Sequence, residues 1–152
     1  MTALISPELV HVHLSVADRK ELLTIMAARL EDLGHVHSTF LQGLLTRESR
    51  FPTGLPISGG VAIPHTDPEH VRTSAISVAT LAAPVEFGAM AGDGDEVPVR
   101  LVIMLALQGS SDHLGVLQKL MKSLQDAEFV HDLLTSDSAQ DVAERAAAAF
   151  DL

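Results

Sequence analysis

The chain contains no cysteine. That absence removes disulfides, thiolate nucleophiles and thiolate metal sites together, and it gives no support to an oxidising, secreted setting. Tryptophan and tyrosine are missing too, and only five phenylalanines remain, so no aromatic platform for stacking bases or sugars is expected. Positive charge is scarce: 10 basic against 20 acidic residues leave a net charge of -10, which repels phosphodiester backbones and anionic lipid surfaces. Nucleic acid and the membrane surface are therefore poor general partners, and proteins or small molecules are expected instead. The N-terminal "MTALISPELVHVHL" has no basic start followed by an apolar core, and the longest apolar run, Val97 to Leu107, is broken by Pro98 and Arg100. Neither a signal peptide nor a membrane-spanning helix is expected. Internal repeats, low-complexity tracts and linker-like stretches are not found either.

What is present fits one folded unit. With 152 residues, 47% of them hydrophobic and 20% charged, the chain falls in the range where a single core closes, roughly 100 to 200 residues, and far from the composition of disordered segments. One domain over residues 1–152, in the cytoplasm, is the expectation.

Apolar patterning then orders the elements. Alternation in "LVHVHL", residues 9–14, predicts a strand. Asp18 as N-cap with Glu21 three places on opens a helix through "DRKELLTIMAARLEDLG", whose inward stripe is Leu22, Met26, Leu30 and Leu33 and which Gly34 closes. A second helix is expected over 39–49 with Phe40, Leu44 and Leu45 inward, and "FPTGLP" after it reads as a loop. Short strands are expected at 61–63 and 74–82, separated from the strongest strand, "RLVIMLAL", by the turn-rich acidic stretch "GAMAGDGDEVP". That near-continuous apolar run implies burial on both faces. Three helices follow, roughly 112–124, 126–135 and 138–150, the first with Leu114, Leu117, Met121 and Leu124 inward and the last capped by Ser138 with Asp141. Strands alternating with helices imply α/β layering.

Within this frame "GVAIPHTDPEH", residues 60–70, ends an apolar strand abruptly in Pro64 and His65. Proline pushes its predecessor into extended geometry and cannot donate to a sheet ladder, so His65 sits just past a strand end. In α/β folds that edge is where ligands gather and where helix N-termini offer N–H groups to anions. His113 occupies a comparable place, at the start of the helix after "RLVIMLAL" and beside its inward face. Together one imidazole could attack phosphorus while the other donates a hydrogen bond to the phosphoryl oxygens. The residues alone leave other readings open: incidental histidines, or a metal hydrolase built on His65, Asp67 and His70 or on the "HVH" pairs at 11–13 and 35–37. Against metal catalysis stand the lack of an HExxH motif and the interruption by Pro68. Asp67 and Asp112 read as cap and loop residues.

Three longer strings, "LTRESRFPTGL" at 45–55, "GVAIPHTDPEHV" at 60–71 and "LALQGSSDHLGVLQKL" at 105–120, resemble the enzyme IIA domains of the phosphoenolpyruvate-dependent sugar phosphotransferase system. The likeness is to the fructose and mannitol class, with "FPTGLP" and "PHTDPEHV" closest to galactitol-type IIA, and it covers essentially the whole chain. The resemblance implies an α/β fold, a single mixed sheet flanked by helices on both sides. It also implies a phosphoryl carrier in which His65 accepts phosphate from the histidine phosphocarrier protein and passes it to a IIB component of a sugar permease. Through that complex the membrane is met only indirectly. His113 falls on the family's second active-site histidine, and Arg47 on the arginine that steadies the phosphoryl group, with Arg50 as the substitute. No metal or organic cofactor is implied. A regulatory relative, whose histidine phosphorylation controls a protein partner, is the alternative.

Overall fold

In the computed structural model, which describes residues 4–90, 92, 94–109 and 114–152, parity along one strand decides the layering. Strand β5 (Glu96–Ala106) holds six consecutive buried residues, Leu101 to Ala106, and successive side chains of a strand point to opposite faces. Leu101, Ile103 and Leu105 join one apolar cluster, and Val102, Met104 and Ala106 join the other. At roughly 1.5 to 3 kcal/mol for each large apolar side chain removed from water, both faces must be covered. Helices α1 (Arg19–Asp32) and α2 (Phe40–Arg50) cover one, while α3 (Leu114–Leu124), α4 (Ala127–Thr135) and α5 (Ala139–Ala149) cover the other.

Among the described residues the sheet has five strands in the order β1, β4, β5, β3, β2. The long strand β4 (Ala75–Gly88) pairs antiparallel with β5, from Ala75 opposite Ala106 to Gly88 opposite Glu96. Strand β1 (Val10–Leu14) runs parallel to β4, β3 (Val61–Ala62) runs parallel to β5, and β2 (Gly54–Leu55) runs antiparallel to β3. The sheet is thus mixed and flanked by helices on both sides, as expected. Gly60 sets β3 against β5, because at its φ of +104° a Cβ would lie 1.9 Å from the Pro98 carbonyl oxygen. No larger residue fits there.

Capping works as the sequence suggests: the Asp18 side chain accepts from the Glu21 N–H, Glu21 Oε1 accepts from the Ala17 N–H, and Ser138 Oγ accepts from the Asp141 N–H. Several expectations need correction. Strand β4 continues to Gly88 instead of stopping near 82, since a register shift between Thr80 and Val85 absorbs Pro84. The "FPTGLP" stretch is not merely a loop, for it contains β2. Leu33 is exposed because it is the C-cap of α1, past the last inward turn. Leu45 is half-buried at the margin of the core. Leu114 is 60% exposed, and α3 faces inward through Leu117, Leu120 and Leu124, at the i, i+3, i+7 spacing of one helix face. No helix among the described residues is long and apolar enough to cross a membrane.

Candidate functional site

Where β3 ends, Ile63 and Pro64 carry the chain to His65. The Pro64 carbonyl accepts from the Leu105 N–H at 3.0 Å, and His65 continues the parallel pairing as a bridge to Leu105. By parity His65 lies on the face of Val61 and Ile63, toward α3. Its Nδ1 is 2.8 Å from the carbonyl oxygen of Ile63. A carbonyl only accepts, so Nδ1 carries the proton, and in the neutral ring Nε2 keeps its lone pair. Thr66 Oγ1 lies against α2, where a Cβ on Gly43 would come within 2.9 Å of it and of His70 Nε2.

His65 lines a cavity of about 430 Å³ whose wall is largely apolar: Leu105, Leu107, Leu117 and Met121, with Arg47 and Asp67 at its polar side. Such a wall lowers the local dielectric and strengthens any charge interaction made inside. Arg47 comes from the last turns of α2. Its guanidinium carbon sits 5.5 Å from the centre of the Phe51 ring, and Nη1 is 3.7 Å from Asp67 Oδ1, too long for a hydrogen bond. Its Nε is shielded from solvent and has no hydrogen-bond partner among the described residues. Asp67 sits at the N-cap of a 3-10 turn over Pro68–His70, as expected, but its carboxylate is turned toward Arg47 and makes no cap bond. Arg50 lines a neighbouring cavity of about 330 Å³ that also meets His65, so Arg47 touches both spaces beside the histidine and Arg50 one of them.

Behind this wall lies a buried carboxylate. Glu48 is 6% exposed; its Oε2 accepts from the Thr53 N–H at 2.7 Å and its Oε1 from the Thr53 hydroxyl at 2.9 Å. Burial raises its pKa above the ordinary carboxylate value, opposed by these two hydrogen bonds and by the charge of Arg19. Thr53 Oγ1 in turn accepts from the Ile63 N–H at 3.3 Å. Neither residue was singled out from the sequence. Phe40, Leu44 and Glu48 follow one another at i, i+4, i+8, all buried on one face of α2, and a carboxylate on an apolar stripe was the available signal.

His113 and Asp112 lie outside the described residues. Three other histidines are engaged elsewhere: His70 Nδ1 is 2.8 Å from Thr39 Oγ1, His37 Nδ1 accepts from Arg72 Nε, and His13 Nε2 meets Asp137 at 2.8 Å. Among the described residues no three His, Asp or Glu side chains gather closely enough to hold a metal ion.

From residue 3 to residue 146 the chain matches the family model of the phosphoenolpyruvate-dependent sugar phosphotransferase system, EIIA 2. The chain belongs to this EIIA family. It is accordingly a phosphotransferase component that works through a phosphohistidine intermediate. The galactitol-specific EIIA component of the Escherichia coli K12 phosphotransferase system is 35% identical to it over 128 residues, 84% of this chain and 85% of that protein. The crystal structure of the mannitol IIA from Escherichia coli superposes with a TM-score of 0.76 at 25% identity, covering 93% of this chain and 98% of the other. The enzyme IIA chain in the solution structure of the complex of Escherichia coli mannitol enzyme IIA with phosphorylated mannitol enzyme IIB gives a TM-score of 0.78 at 24% identity over 95% and 97% of the two chains. The two solved structures share the overall fold of this chain.

Proposed function

We propose that residues 1–152 form one enzyme IIA domain in which His65 is the phosphoryl carrier, accepting from the histidine phosphocarrier protein and donating to a IIB component. The observation that carries this reading is the bond from His65 Nδ1–H to the Ile63 carbonyl, which leaves Nε2 as the nucleophile. In the first step the Nε2 lone pair attacks phosphorus, a new N–P bond forms, and the N–P bond to the donor imidazole breaks with that imidazole as leaving group. In the second a IIB nucleophile, a cysteine thiolate in the usual case, takes the group as an S–P bond and Nε2 recovers its lone pair. The Nδ1 proton stays in place throughout. Such transfers depend on positioning and charge stabilisation more than on covalent machinery.

Arg47 serves the transferring oxygens, a role supported by its place beside His65 and by the unpartnered Nε. His113 is assigned the second contact to those oxygens. The sugar class is galactitol-like, on the likeness to the galactitol-specific relative. Dependence on a phosphoenolpyruvate-fed donor supports a cytoplasmic location.

The test is phosphoryl transfer in vitro from phosphoenolpyruvate through the two general phosphotransferase proteins. Wild type should take an acid-labile, base-stable label, His65→Ala none, and His113→Ala a reduced amount. A correctly folded wild type that stays unlabelled would end the carrier reading.

A further inference from the structure

The hydrogen bonds around Ile63 form a directional chain whose polarity is fixed at every link. The Ile63 N–H donates to Thr53 Oγ1, so the one hydroxyl proton of Thr53 is free to go to Glu48 Oε1, while the Thr53 N–H occupies Oε2. Both carboxylate oxygens are therefore acceptors. On the other side of the same residue, the Ile63 carbonyl accepts from His65 Nδ1. Strand pairing explains why a side chain is needed. Gly54 and Leu55 pair with Ala62 and Val61, and beyond Gly54 the ladder stops. Thr53 extends it by one side-chain bond to Ile63. Pro64 has no N–H to hold the next peptide.

We infer that Glu48 and Thr53 are positioning residues that clamp Ile63, and through its carbonyl fix the tautomer and orientation of His65 for attack by Nε2. The inference rests on the reading of His65 as the phosphoryl carrier. Which ring nitrogen of a histidine bears the proton is set by the partner of the other nitrogen. Here that partner is a backbone carbonyl whose direction depends on the backbone angles of Ile63. Holding its N–H fixes one end of the residue, and the Pro64 ring with the Leu105 bond fixes the other. A carboxylate in water would hold threonine loosely; a carboxylate buried in the α2 face cannot move away. The geometry also accounts for a charged group at a position the helix otherwise gives to Phe40 and Leu44.

The test reads the tautomer directly, by long-range proton–nitrogen correlation on unphosphorylated protein with labelled histidine, alongside the rate of label uptake. Wild type should show His65 protonated at Nδ1 alone. Thr53→Val should give a mixture of tautomers and transfer slowed about tenfold, as loss of one positioning hydrogen bond warrants. Thr53→Ser keeps the hydroxyl and should restore both readouts. Glu48→Gln retains one acceptor of two and should fall between. A folded Thr53→Val with the wild-type tautomer and a rate within about twofold of wild type would overturn the clamp, as would a Thr53→Ser no better than Thr53→Val. Should Thr53→Val fail to fold, hydrogen exchange in wild type decides: the Ile63 amide must be protected like a strand amide, and exchange at loop rates overturns the inference. The tautomer measurement needs no phosphoryl donor. It therefore judges the clamp even if the label proves to sit on a residue other than His65.

Discussion

The two helices that flank His65 contribute opposite things. Helix α2 brings polar groups, with Arg47 half-exposed beside the cavity and Glu48 buried behind it. Helix α3 brings Leu117, Leu120 and Met121, an apolar wall with no titratable side chain among the described residues of the helix that line the cavity. Charge held in place on one side and water excluded on the other is the arrangement that makes an electrostatic contact count, since the same guanidinium is worth far more in a dry setting than in bulk water. Fixing charge and keeping the site dry are thus divided between layers that lie on opposite faces of the sheet.

That division can be broken from either side. The largest effect is expected from Arg47→Ala, which should slow phosphoryl transfer on the order of a thousandfold while leaving the melting temperature nearly unchanged. A loss of transfer under about threefold would remove Arg47 from the chemistry. Leu124→Ala should do the reverse. Leu124 is fully buried in the last turn of α3 and does not line the cavity, so denaturant unfolding should show about 3 kcal/mol of lost stability, with transfer at 25 °C intact. If the rate falls in step with stability, the layers are not separable.

Smaller tests sharpen the picture. Phe51 is 63% exposed and lies under the Arg47 guanidinium. Phe51→Leu removes a cation–π contact of about 0.5 to 1 kcal/mol and should slow transfer roughly threefold. The smallest effect is a slope. Burial raises the folded pKa of Glu48, so its contribution to stability is fully present below the ordinary carboxylate value and is lost as pH rises through the raised folded value. Stability measured against pH in wild type should therefore fall across that window relative to Glu48→Gln. An identical slope in the two proteins would mean that Glu48 titrates normally.

Much of the fold was legible in the sequence, for reasons that differ by element. The Asp18–Glu21 pair announced α1 because its capping bonds are local, and the run at Leu101–Ala106 announced the central strand because burial on both faces leaves no polar positions. The reach of β4 was not legible, because Ala82, Ala83 and Pro84 break the alternation where the register shifts. At the site, His65 and Arg47 stood out by motif. The anchor of the imidazole did not, because it is a carbonyl two residues back, and no residue type encodes where a carbonyl points. Glu48 and Thr53 were missed because their partnership spans the turn out of α2, where two prolines spoke only of a loop.

The bridge between His65 and Leu105 has a consequence for how the molecule comes into being. Strands β4 and β5 are neighbours in sequence and can zip as a hairpin, whereas β3 meets β5 in parallel only after the chain has looped back across it. Contacts between distant segments close late and slowly. During refolding, amide protection in β4 and β5 should precede any ability to take up label, so a half-made molecule is inert and cannot divert phosphate from its finished counterparts.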